Sequence, residues 1–221
     1  MWSTEAGLTG VLVFMILYII ASHVLATYHF FKILSLIFLS MFFLSAVLSV
    51  DQRSTARRLL SVFALISLGF IWIDYFFPEM GFRTMRIVAG MVTMAYLALV
   101  LLSHVFYKGT ITYHRICGAI AVYLLMASLW ADIYIFILRF NDRAFKLAPE
   151  VIYGPYEALQ ATMFYFSVVT ITTLGYGDIV ALSPGARLAV LLEALLGQLY
   201  PAIMLAWLVS MEIVSRTAHK G

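Results

Sequence analysis

Apolar residues run through this chain in stretches long enough to cross a bilayer, broken by short polar clusters. A helix crosses about 30 Å of hydrocarbon in roughly 20 residues, at a rise of about 1.5 Å each, and counting at that length predicts six spans. Residues 7–50 are almost continuously apolar and hold two crossings, with Thr27, Tyr28, His29 and Lys32 marking the reversal. That turn contains neither Gly nor Pro. The third span, 59–77, stops before Pro78, which cannot continue a helix. The fourth covers 85–107, the fifth follows the polar stretch 108–115 and covers 116–140, and the last covers 187–213.

Between the last two spans, residues 141–186 are too polar at their start to cross and too apolar in their middle to form a simple loop, so the segment is predicted to re-enter the membrane. Pro155 suits a first helical position, and Glu157 places a carboxylate in the first turn, where the helix dipole favours it. A helix over 156–172 follows, and then a Gly-rich stretch. Non-helical backbone at membrane depth is tolerated only where protein buries it or it lines a water-filled cavity. A helix leading into such a stretch therefore suggests a pore.

Composition turns this pattern into a class. Of the 221 residues 64% are apolar or aromatic and 11% are charged, against roughly 25% charged in a soluble domain. Too little polar surface remains to cover a globule in water, and the runs are too long for the alternating strands of an outer-membrane barrel. The fold class is all-α integral membrane, with six transmembrane helices and a re-entrant helix between the fifth and sixth. The net charge of +3 is spread along the chain without a dense basic cluster, so nucleic acid is excluded as a partner and membrane lipids are expected. Cys117 is the single cysteine, and no disulfide can close within one chain. No Lys or Arg precedes the first apolar run, which is read as a retained span rather than a cleaved signal. With a cytoplasmic amino terminus, the inner loops hold Arg53, Arg57, Arg58, Lys108 and Arg115 and the outer loops Lys32, Arg83 and Arg86; this bias sets both termini in the cytoplasm and the re-entrant segment outside. The chain divides near residue 111 into a four-helix unit (1–111), a pore unit (112–215) and a short tail (216–221), too short for a nucleotide- or calcium-binding domain.

The stretch Thr170-Ile171-Thr172-Thr173-Leu174-Gly175-Tyr176-Gly177-Asp178 resembles the selectivity filter of potassium channels, usually written TVGYGD. Residues 164–169 resemble the aromatic-rich pore helix of that family, and Gly197 stands at its hinge position. The pore half looks like a bacterial member, which implies a bacterial inner membrane, K⁺ as the permeant ion, no organic cofactor and no enzymatic activity. The physics agrees: a K⁺ ion must exchange its water shell for oxygens of similar field, and stacked backbone carbonyls supply them. Gly175 and Gly177 allow the backbone angles this stacking needs. The resemblance implies coordination by the carbonyls of Thr173, Leu174, Gly175 and Tyr176 and the Thr173 hydroxyl, with Gly177 at the outer mouth. One chain supplies one strand of oxygens, so the active unit is expected to be a homotetramer. The 1–111 unit is similar to a voltage-sensor domain in span count but lacks its ladder of arginines.

Three departures from the family concern the filter's support. Leu174 replaces Val, which keeps the carbonyl and changes the packing behind it. Tyr165 and Phe166 stand where many members have two Trp, so Tyr165 can bond Asp178 whereas Phe166 has no donor for Tyr176. Val169 occupies a position where some bacterial members place a Glu. Gly197 reads as a gate hinge or as a site of close helix packing, Pro201 as part of the hinge or as a plain kink, and Gln198 as a cavity-lining residue. Ionisable groups inside spans are expensive and so candidates for function: Asp74, near the interface; Asp132, two turns from Arg139 on one face; Glu193, behind the filter or paired with another helix; and His104, at the cytoplasmic interface. His23 and His29 are too far in sequence from any carboxylate to suggest a metal site. Gly175-Tyr176-Gly177-Asp178 also satisfies the GxGD pattern of intramembrane aspartyl proteases, but that chemistry needs a second, facing Asp, and neither Asp74 nor Asp132 follows the Tyr that family places before it. A proton-coupled transporter lacks the expected repeat. A non-conducting channel subunit remains an alternative.

Overall fold

The computed structural model describes residues 2–24, 29–50, 54–77, 81–106 and 112–218, and within them the side chains other than 2–6, 23, 24, 29–32 and 212–218. Eight helices and two short strands follow one another along these residues: α1 (Trp2–Val24), α2 (His29–Leu48), α3 (Thr55–Phe76), α4 (Arg83–Val105), α5 (Tyr113–Phe140), β1 (Phe145–Lys146), α6 (Pro149–Ile152), α7 (Tyr156–Ile171), β2 (Val180–Ala181) and α8 (Pro184–Ala218). Four of them, α3, α4, α5 and α8, are long and apolar enough to cross a membrane; the described apolar parts of the first two, Gly7–Ser22 and Ile33–Leu48, are shorter. The last helix starts at Pro184, three residues earlier than its apolar run implies, because Ser183 caps it: the Ala186 amide donates to Ser183 Oγ at 3.2 Å. Of the reversal residues, Thr27 and Tyr28 lie outside the described residues, and His29 opens α2.

Packing is built on small residues, as expected where lipid is as apolar as the side chains and association depends on close contact. α1 and α2 run antiparallel with Gly7 and Gly10 against Ser49 and Ser45; a Cβ at either glycine would strike the facing serine. The apolar cores divide along the chain. One joins α1 to α4 and the middle of α5, with Val11, Phe42, Phe43, Leu60, Leu97 and Leu125 at its centre. The other lies between α5, α7 and α8 and includes Tyr134, Phe145, Met163 and Phe166. Meanwhile Leu65, Leu99 and Leu205 stay at least 65% exposed, an outward-facing apolar surface suited to lipid. α5 is thus the wall shared by both cores.

Polar groups mark where α3 and α4 meet α7. Arg86 Nη1 lies 2.7 Å from Asp74 Oδ2, and its guanidinium carbon sits 4.4 Å from the centroid of the Tyr156 ring, with that of Arg83 at 5.4 Å. Tyr156 is the first residue of α7, so α3, α4 and the re-entrant helix are tied at one point. Two placements differ from the reading by sequence. Arg86, counted with the outer loops, lies in the first turn of α4 and pairs with Asp74, because α3 returns Asp74 to its level. Asp132 has Arg86 rather than Arg139 as the cation acting on it, since α4 packs directly on α5 while Arg139 lies two turns along its own helix. Arg86→Ala leaves Asp74 buried and unpaired, which costs about 3–5 kcal/mol. In detergent titrations of unfolding, Arg86→Ala is expected to lose that much stability, and adding Asp74→Asn to recover most of it.

Candidate functional site

Helix α7 is fixed by contacts far apart in sequence. Near its middle Ser167 Oγ lies 2.7 Å from the Ala127 carbonyl of α5, and at its end the Tyr123 hydroxyl donates to the Ile171 carbonyl at 2.8 Å. On its first half Gln160 Nε2 donates to the Tyr18 hydroxyl of α1 at 3.1 Å. Phe166 wedges between Tyr134 and Phe145, with ring centroids 5.3 and 5.6 Å away. Three elements, α1, α5 and β1, hold the helix, and its carboxyl end delivers the candidate pore segment.

From Thr172 onward the chain leaves the helix with alternating handedness. Thr173, Gly175 and Gly177 have φ of 62°, 56° and 78°, while Leu174 and Tyr176 between them stay out of that region. Alternation of this kind turns successive N–H groups to one side and successive carbonyls to the other. The N–H side is identified by its bonds: Thr173 N donates to Thr170 O at 2.9 Å, and Leu174 N and Gly175 N both donate to Val169 O at 3.0 and 3.2 Å. No backbone N–H among the described residues donates to the carbonyls of residues 173–176. For Gly175 and Gly177 the constraint is conformational, since a Cβ on either would meet nothing within 4 Å of this chain. For Thr173, a β-branched residue, positive φ is strained and persists because its neighbours hold it. Leu174 and Tyr176 project outward, 57% and 67% exposed on the single chain.

Support comes from both ends of the segment. At the outer end the Tyr165 hydroxyl donates to Asp178 Oδ2 at 2.8 Å, and the chain beyond forms β2, antiparallel to β1 with Phe145 opposite Ala181 and Lys146 opposite Val180. The Ala144 carbonyl takes the amides of Leu182 and Ser183 at 2.8 and 3.2 Å. Phe166 makes no bond to Tyr176; its ring is spent on Tyr134 and Phe145. Glu193 on α8 is fully buried and receives the hydroxyls of Tyr134 and Ser167. At the inner end, a Cβ on Gly197 would collide with the Ile171 carbonyl and side chain, so this glycine is the point at which α8 touches the end of α7. Pro201 lies inside the continuous helix α8, and Tyr200 beside it stacks on Tyr123 at 5.8 Å and donates to Ala119 O at 2.8 Å. Sequence reading did not single out Tyr123, Tyr134, Phe145 or Ser167. A hydroxyl within an otherwise apolar span is the signal that could have found the two tyrosines and the serine. Phe145 gives no such signal.

The family model described as ion channel matches residues 100–213, slightly more than half of the chain. The chain belongs to the ion channel family. It is accordingly a membrane protein of a family that conducts ions passively and is not in general enzymatic. No curated relative and no solved structure matches the channel. The matched residues contain α5, α7, the 173–177 segment and most of α8, so every group of the site just described except Gln160's partner Tyr18 and the arginines on Tyr156 falls within them. Among the described residues no group of three or more His, Cys, Asp or Glu could hold a metal through side chains. Gly197→Ala is expected to push α8 off the end of α7. Overpacking of this kind costs about 1–3 kcal/mol, so the variant's midpoint in a thermal melt of the detergent-solubilised channel should fall by several degrees, and Gly197→Leu should fall further.

Proposed function

We propose that four copies of the channel surround a K⁺-selective pore, each contributing the carbonyls of Thr173, Leu174, Gly175 and Tyr176 and the Thr173 hydroxyl, with Gly177 at the outer mouth. The observation that carries this reading is the alternating backbone of residues 173–177, in which the amides of Thr173, Leu174 and Gly175 are consumed by the carbonyls of Val169 and Thr170. Its carbonyls are left for an ion, and K⁺ is the ion whose water shell a stack of carbonyls replaces in pores of this kind. The carboxyl end of α7 aims the negative end of its dipole toward the same place. A fourfold arrangement is supported by what the single chain leaves open. A hollow of about 540 Å³ lies between the segment, α7 and α8, lined by Thr170, Thr173, Gly175, Gly177, Val190 and Leu191, and a neighbouring copy's segment is its natural occupant. α1 and α2 complete six spans in this reading, K⁺ and lipid are the partners, no organic cofactor is needed, and the setting is a bacterial inner membrane with both termini inside. Gly197 and Pro201 then stand where the inner helix bends to open, Gly197 serving also as the contact with α7.

Purified channel in planar bilayers is expected to give a reversal potential that follows the K⁺ gradient and ignores Na⁺, with block by Ba²⁺. Gly177→Ala, which places a side chain at a φ that costs L-residues about 1–2 kcal/mol, should abolish this current while the protein still inserts. Currents indifferent to exchange of K⁺ for Na⁺ would defeat the reading.

Gating should depend little on voltage. One charge crossing the whole field is worth about 2.3 kcal/mol per 100 mV, and steep gating uses about 3–4 per subunit. Apart from His104 near its end, α4 carries only Arg83 and Arg86 as cations, both in its first turn and both lodged on Tyr156. Steps from about −100 to about +100 mV in symmetric K⁺ should therefore give nearly ohmic currents, and an e-fold change in open probability per few millivolts would contradict this.

A further inference from the structure

Glu193 is the most deeply buried acid among the described residues, and conduction through carbonyls makes no direct use of it. Its partners are Tyr134 of α5 at Oε2 and Ser167 of α7 at Oε1. No Lys, Arg or His among the described residues pairs with it. The titratable groups that face it are the phenols of Tyr134 and Tyr123, both on α5; α7 brings the Ser167 hydroxyl and no charge, and no other group on α8 acts on it. A carboxylate in apolar surroundings with two hydroxyl donors and no cation is expensive to keep charged unless a positive charge lies nearby.

Ser167 supplies a second observation. Its hydroxyl has one proton but two acceptors within reach, the Ala127 carbonyl at 2.7 Å and Glu193. With Glu193 ionised, Tyr134 and Ser167 both donate into the carboxylate. When a proton from water binds Glu193, the new O–H donates to Ser167 Oγ, and Ser167 turns its own proton to the Ala127 carbonyl. The tie between α5, α7 and α8 survives in either state. Only one negative charge changes, and it sits beside Ser167, two residues before the Val169 carbonyl that receives the Leu174 and Gly175 amides.

We infer that Glu193 is a proton-sensitive positioning residue that sets the K⁺ loading of the pore from behind α7: ionised, its charge is balanced by the cation in the conduction path, and protonated, it holds α7 equally well but releases that cation more readily. The inference rests on the K⁺-channel reading above. Because coupling between two ligands is reciprocal, K⁺ must resist protonation of Glu193 by the same factor that protonation weakens K⁺.

The test measures the K⁺ concentration giving half-maximal thermal protection of the purified channel over a Na⁺ background, at about pH 5 and about pH 9, together with bilayer currents. Wild type should need about fivefold or more K⁺ at the lower pH. Glu193→Gln keeps the arrangement of the protonated acid, its amide oxygen accepting from Tyr134 and its NH₂ donating to Ser167, and should show the acid-side value at both pH values. Tyr134→Phe removes a donor to the ionised form and should move the wild-type transition to higher pH, which a purely structural contact would not do. A Glu193→Gln profile that follows wild type, or a wild-type midpoint that ignores pH, overturns the inference. Should Glu193→Gln fail to assemble, an unmoved transition in Tyr134→Phe overturns it equally. If wild type shows neither K⁺ protection over Na⁺ nor K⁺-selective current at either pH, the K⁺-channel reading itself fails.

Discussion

Two backbone carbonyls at the end of α7, those of Val169 and Thr170, hold the segment of the proposed pore. Backbone amides in a low-dielectric setting must find acceptors, and those of Thr173, Leu174 and Gly175 find Thr170 O and Val169 O. Spending three consecutive amides on one helix end fixes the handedness of the segment, and in the proposed pore this leaves its carbonyls for the ion. The strain at Thr173 is part of the same arrangement, since its positive φ is what lets its amide turn back to Thr170. The rest of the pore unit keeps those two acceptors still. Ser167 and Tyr123 bond the helix on either side of them, Phe166 is wedged between rings, and Gly197 lets α8 close against Ile171.

The legible parts of this arrangement were those written in local residue types. Pro155, Glu157 and the two glycines mark the start of α7 and the turn of the segment after it, because helix starts and positive φ each demand particular side chains at particular places. What faces what was not legible. In a soluble helix the apolar stripe reveals the buried side, but here both sides are apolar, and the helix face that meets protein differs from the one that meets lipid mainly through small residues and isolated hydroxyls. Tyr123 and Ile171 are 48 positions apart and Tyr134 and Glu193 are 59 apart, and no periodicity within either helix couples them. Spacing along one helix suggested Arg139 for Asp132, whereas packing between helices brought Arg86. The pairing of β1 with β2 was invisible for a different reason: two residues are too few to show alternation.

Scarcity gives polar side chains a larger role than their number suggests. With a lipid-like interior on every side, each hydroxyl, amide or ion pair costs free energy unless matched, so a matched one specifies a single register between helices. Gln160 with Tyr18 sets α7 against α1, Tyr200 with Ala119 sets α8 against α5, and Arg86 with Asp74 sets α4 against α3. Each bond joins a different pair of elements. Together they define the bundle more sharply than its apolar contacts, which tolerate sliding.

The seat of Tyr156 beneath Arg83 and Arg86 bears on how the channel is made. Helices α1 and α4 both rest on α7 of the same chain. In the proposed fourfold arrangement, a newly inserted subunit completes this packing before it meets another copy, and association is the docking of finished wedges along the flanks of α8 and the 173–177 segment. A defect in the first four helices would show itself as a scarcity of competent subunits rather than as malformed rings.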